Sequence, residues 1–102
     1  MKVLPVPLAA VRDENSVEMM RAWIAEKGLH CALNIGMYDD TQVEVRAWGV
    51  MLADLARHAA AALAESNQGN EAELLGRIFE GLRDELGDSS SGRTGKFVAK
   101  PS

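Results

Sequence analysis

Apolar residues change their spacing along this chain, and each change marks an element. From 29 to 35 they alternate. Leu29, Cys31, Leu33 and Ile35 are separated by His30, Ala32 and Asn34, a period of two that predicts a strand. A lone strand would leave its backbone groups unpaired, and the preceding segment is its nearest partner. With "EKG" as a Gly-containing turn, residues 17–36 are expected to form a β-hairpin. The competing reading makes the first half a helix, capped by Ser16, stopped by Gly28, with Met20, Trp23 and Ile24 on one face. As a strand, residues 17–25 are apolar on both sides: Val17, Met19, Trp23 and Ala25 on one, Met20, Ala22 and Ile24 on the other. A two-stranded sheet with a wet face needs only one apolar side, so the arm before it or a second chain is expected to cover the surplus.

Downstream the period lengthens to that of a helix. In "DDTQVE", Thr41 is the expected N-cap and Glu44 its capping-box partner, with Asp39 and Asp40 favourable beside the positive helix end. A helix over 42–66 follows. Trp48, Leu52, Leu55, Ala59 and Leu63 form a stripe of mostly large apolar residues, with Met51 and Ala62 beside it. Next to this runs a stripe of small residues, Gly49, Ala53, Ala56, Ala60 and Ala64, where another backbone can come close. Alanine is also simply the best helix former, which explains the same stripe without any partner. The combined apolar arc exceeds half the helix, more than a one-sided surface helix requires. Asn70 with Glu73 predicts a second capped helix over 71–86, stopped by Gly87. Leu74, Leu75, Ile78, Phe79, Leu82 and Leu86 are its expected core face.

The flanks differ in kind. Residues 1–14 begin with an apolar run that Pro5 and Pro7 interrupt, and no small-x-small cleavage site follows. This reads as a flexible N-terminal arm, not a signal peptide. "DSSSGRTGKFVAKPS", residues 88–102, has too few apolar residues to build a core and is expected to be a disordered tail. The predicted fold is a single α+β domain over 15–87, an antiparallel β-hairpin packed against two α-helices.

Composition narrows the function classes. A chain of 102 residues with 47% apolar and 25% charged residues fits one globular domain. A net charge of −4 argues against nucleic acid as a partner, since a basic face is needed to displace counterions. No stretch reaches the roughly 20 apolar residues of a membrane span. The single cysteine, Cys31, permits no internal disulfide, and a cytoplasmic location is expected. No cofactor motif is present.

The chemistry-bearing residues are few. Asp54, Arg57 and His58 fall within about one turn of the apolar helix, with spacings at which side chains meet. They are explained sufficiently as the helix's solvent boundary. As candidate ligand-binding residues they join His30, with the Asp54 carboxylate orienting the His58 imidazole. Cys31 with His58 makes a poor nucleophile–base dyad, because Cys31 shares its strand face with leucines. His30, Cys31 and His58 are too few and wrongly spaced for a zinc site. "GDSSSGRT" follows a helix, not a strand, and no helix follows it, so it fails as a phosphate loop.

At "AWGVMLADLARH", with the upstream "RAWIAEKGLHCAL" and "YDD", the chain resembles a bacterial domain-of-unknown-function family of about 100 residues. The likeness covers residues 17–63 and rests on the order Trp, Gly-turn hairpin, Asp-Asp, then W-G-x-x-L-A-D-L-A-R-H. The resemblance implies a small cytoplasmic bacterial protein and assigns it no activity and no site residues. The expected role is a non-catalytic interaction or accessory module acting as a homodimer. Trp23, Gly49, Ala53, Ala56 and Ala60 are its candidate interface residues. The alternative is small-molecule binding or catalysis on the Asp54/His58 flank.

Overall fold

A computed structural model describes residues 1–67, 69–87 and 98–101. The architecture is α+β, and the chain divides into two compact units. One comprises Met1–Ile35 with the strand at 98–101, and the other begins at Gly36.

In the first unit the arm carries a short helix, α1 (Leu8–Arg12), which follows Pro7. Ser16 ties the segment behind it: its hydroxyl donates to the Ala10 carbonyl at 2.8 Å and its N–H to the Asp13 carbonyl at 3.0 Å. The hairpin follows, β1 (Met20–Ala25) and β2 (Gly28–Leu33), antiparallel, with Met20 opposite Leu33 and Ala25 opposite Gly28. The helical alternative for 17–27 is thereby overturned. The turn is shorter than "EKG" implies. Glu26 and Lys27 make it alone, while Gly28 begins β2. Where the composition predicts a disordered tail over 88–102, the backbone of Val98–Pro101 runs as β3, parallel to β2, and the sheet order is β1-β2-β3. Residues 88–97 and 102 of that segment lie outside the described residues.

The second unit is a helical hairpin, α2 (Thr41–Glu65) and α3 (Glu71–Gly87). The N-cap of α2 is Asp40, one residue before the expected Thr41, and its carboxylate accepts from the Gln42 N–H at 2.7 Å. Glu44 does not close a capping box on Thr41. Its carboxylate accepts from the Gly36 N–H at 2.8 Å and pins the chain leading into the helix. Asn67, at φ 61°, ends α2 in the left-handed conformation that asparagine tolerates. Gly69 at φ 147° lets the connection close over Leu74, whose side chain would lie 3.4 Å from an added Cβ. Asn70 caps α3 as expected, accepting from the Glu73 N–H at 3.1 Å.

Helix lengths decide what these two can bury. At 1.5 Å per residue, α3 is about 25 Å long and α2 about 37 Å, so the first turns of α2 outrun α3. Ala60 of α2 is 0% exposed and Leu74 of α3 is also buried. Ala56, Ala64, Leu75 and Ile78 are half-buried around them. The small-residue stripe of α2 is therefore the groove into which α3 packs, and the fully buried centre of the pair is one alanine wide.

Candidate functional site

Asp54, Arg57 and His58 occupy one exposed turn of α2. Arg57 Nη1 donates to Asp54 Oδ1 at 3.4 Å, between side chains 63% and 62% exposed. A long ion pair in water holds neither group firmly. His58 Nδ1 lies 2.8 Å from the backbone oxygen of Asp54. A carbonyl can only accept, so Nδ1 carries the proton, and in the neutral ring Nε2 is left as an exposed acceptor. The carboxylate thus does not orient the imidazole, as the spacing had implied. Asp54 gives its carboxylate to Arg57 and its carbonyl to His58. His30, on β2, is occupied within its own hairpin, Nε2 lying 3.1 Å from the Ala25 carbonyl.

These polar groups line no described cavity. A depression in the helical unit is lined by Leu63, Leu74, Arg77 and Ile78, toward the C-terminal end of α2 and without Asp54, Arg57 or His58. Among the described residues no group of three or more His, Cys, Asp or Glu is placed to hold a metal ion. Cys31 is a half-buried free thiol on the sheet face it shares with Leu29 and Leu33.

The prominent surface feature is apolar. On α2, Leu52, Leu55 and Leu63 of the large-residue stripe are exposed. The expected core face of α3 splits in two. Leu74 and Ile78 turn toward α2, whereas Phe79, Leu82 and Leu86 are exposed, Leu86 by 79%. The reason is angular: Leu75, Phe79, Leu82 and Leu86 are spaced four, three and four apart and lie roughly 100° around the helix from Leu74. That heptad spacing was visible in the sequence, but a single apolar face absorbed it. Of the interface candidates, Trp23 is half-buried on β1, and Gly49 and Ala53 are exposed. Ala56 and Ala60 already face α3. Trp48 Nε1 is enclosed and has no hydrogen-bond partner among the described residues.

A family profile joins these elements. The profile described as Domain of unknown function (DUF5076) matches residues 3–89. The chain belongs to that family. The DUF5076 match takes in the arm, the hairpin and both long helices, well beyond the 17–63 stretch that carried the first resemblance. A solved structure titled as a putative pyruvate dehydrogenase from the photosynthetic bacterium Rhodopseudomonas palustrus CGA009 is 33% identical. The likeness covers 90% of each chain with a TM-score of 0.64. Comparison with curated proteins gives no significant match. No helix among the described residues is long and apolar enough to cross a membrane.

Proposed function

We propose that this DUF5076 protein is a non-catalytic interaction or accessory module that works as a homodimer. The observation that carries the reading is the mismatch between apolar residues and core. Ala60 and Leu74 are the buried hydrophobic residues described, while Leu52, Leu55, Phe79, Leu82 and Leu86 stand in water. A second copy is the partner the chain always has at hand, and the heptad seam on α3 is of the kind that helices bury against helices. Gly49 and Ala53 border the exposed Leu52 and Leu55 on α2, and Trp23 adds an aromatic anchor on the hairpin. A bacterial, cytoplasmic setting belongs to the same proposal, supported by the bacterial source of the similar structure and by the lone Cys31.

The dehydrogenase activity named for that neighbour finds no support among the described residues of this chain. Among the described residues no acid, base or metal-ligand cluster lies in a sheltered cleft. For the same reason Asp54, Arg57, His58 and His30 draw less support as a ligand site. They are engaged with each other or with backbone and open to water.

Light scattering across a range of concentrations tests the reading. The expected result is a constant dimer mass, falling to monomer in Leu82→Glu with helical content retained. A monomer at every concentration overturns it.

A further inference from the structure

We propose that the N-terminal arm of one chain adds as an edge strand to β1 of a second copy. This rests on the homodimer reading and names the segment that crosses between the copies. Hydrogen-bond parity leaves one edge of β1 open. The two-residue turn closes on Ala25 and Gly28, and the ladder continues to the Asn34 N–H, which donates to the Met19 carbonyl at 2.9 Å. In an antiparallel pair, alternate residues bond to the partner strand. Met19, Arg21, Trp23 and Ala25 therefore face β2, and Met20, Ala22 and Ile24 turn their N–H and C=O groups to the open edge.

At its outward-facing positions that edge lacks the usual protection. Natural edge strands carry lysine, proline or a bulge to discourage pairing. The outward positions of β1 are Met, Ala and Ile, and Ile24 is 88% exposed.

The arm has the complementary one-sidedness. Pro5 and Pro7 are two residues apart, so in an extended strand both present their missing N–H on the same edge. Lys2, Leu4 and Val6 keep theirs on the other edge. Such a segment can pair on one side and stops further pairing on its other side, which ends the sheet instead of propagating it. Pro7 is already extended at φ −57° and ψ 142°. Among the described residues the arm and the edge are both uncovered, Leu4 being 87% exposed. The Ser16 hydrogen bonds to Ala10 and Asp13 fix the segment between arm and β1, so the arm leaves from a set point. A second copy supplies the matching edge, and a two-fold exchange satisfies both arms together.

Disulfide trapping in a Cys31→Ala background tests this. Chains carrying Leu4→Cys are mixed with chains carrying Ile24→Cys and oxidised, with Val6→Cys against Ala22→Cys as a second register. The expected result is a covalent dimer containing one chain of each kind. Removal of residues 2–7 is expected to weaken dimerisation at least tenfold. Two results overturn the proposal. One is a chain carrying both Leu4→Cys and Ile24→Cys that closes only within itself. The other is a dimer whose mass and dissociation survive arm removal with no mixed product, which leaves the homodimer itself standing. A native chain that is monomeric throughout fails the underlying reading instead.

Discussion

Glu26 and Lys27 sit side by side at φ 49° and 65°, both left-handed, between the paired residues Ala25 and Gly28. Two consecutive left-handed residues in a two-residue loop make a type I′ turn, whose twist matches that of the flanking strands. Neither is a residue type that favours this region, and a left-handed Cβ crowds its own carbonyl. The hairpin forms in spite of its turn, held by the strands. Gly28, the residue suited to the conformation, stands one position too late.

Lys27→Gly should therefore stabilise the protein by about 1 kcal/mol, since glycine takes positive φ without a Cβ penalty. That corresponds to a rise of roughly 4–8 °C in melting temperature for a domain of this size. Glu26→Asn combined with it approaches the preferred Asn-Gly turn and should add to the gain. A thermal melt showing no rise for Lys27→Gly would contradict the left-handed geometry at 27.

The one-residue shift of the α2 cap makes a paired prediction. Asp40 supplies the side-chain acceptor for Gln42, while among the described residues no such bond is made by Thr41. Asp40→Ala should cost about 1 kcal/mol, whereas Thr41→Ala should stay within about 0.5 kcal/mol of the parent. Urea titration of the two variants checks this, and the reverse order would place the cap at Thr41 after all.

The elements whose signal is local were legible in the sequence. Asn70 caps α3 where its side chain and the following acid imply, and the alternation of Leu29, Cys31 and Leu33 does mark β2. The Asp40 shift was harder to read, because Asp39, Asp40 and Thr41 are all competent caps and only backbone geometry selects one. The division of α3 was lost for a different reason. Leu74, Ile78, Phe79 and Leu82 fit one broad apolar face on a helical wheel, and the width of the neighbour decides how much is covered. Here the neighbour offers an alanine groove about one residue wide, so Leu74 and Ile78 enter it and Phe79 and Leu82 do not. β3 had no local signal, since Val98–Pro101 has neither length nor alternation to set it apart.

The Asp54–Arg57–His58 turn yields a prediction of indifference. Its ion pair is long and exposed, and its imidazole is held by a backbone carbonyl that is already within the helix. Arg57→Ala and Asp54→Asn should each change stability by less than about 0.5 kcal/mol, with the ion pair's small share vanishing in salt. A loss above 1 kcal/mol in either variant, seen by denaturant titration, would mean that this turn meets something in solution that the single chain does not contain.

Gly49 and Ala60 belong to the same small-residue stripe yet face different surroundings, and this separates fold from assembly. An added Cβ at Gly49 meets nothing within 4 Å, and the residue is exposed. In an isolated chain Gly49→Ala should raise helix stability by about 0.5–1 kcal/mol, because alanine loses less backbone entropy. Ala60 is sealed against α3, so Ala60→Leu should cost about 1–3 kcal/mol or more through overpacking, whatever the oligomeric state. Measuring unfolding and mass together resolves the two. If Gly49→Ala raises the melting temperature and preserves the dimer, the partner's backbone does not approach α2 there. If it lowers the dimer's dissociation midpoint instead, the small stripe extends from the α3 groove into the interface, with Gly49 marking the point of closest approach.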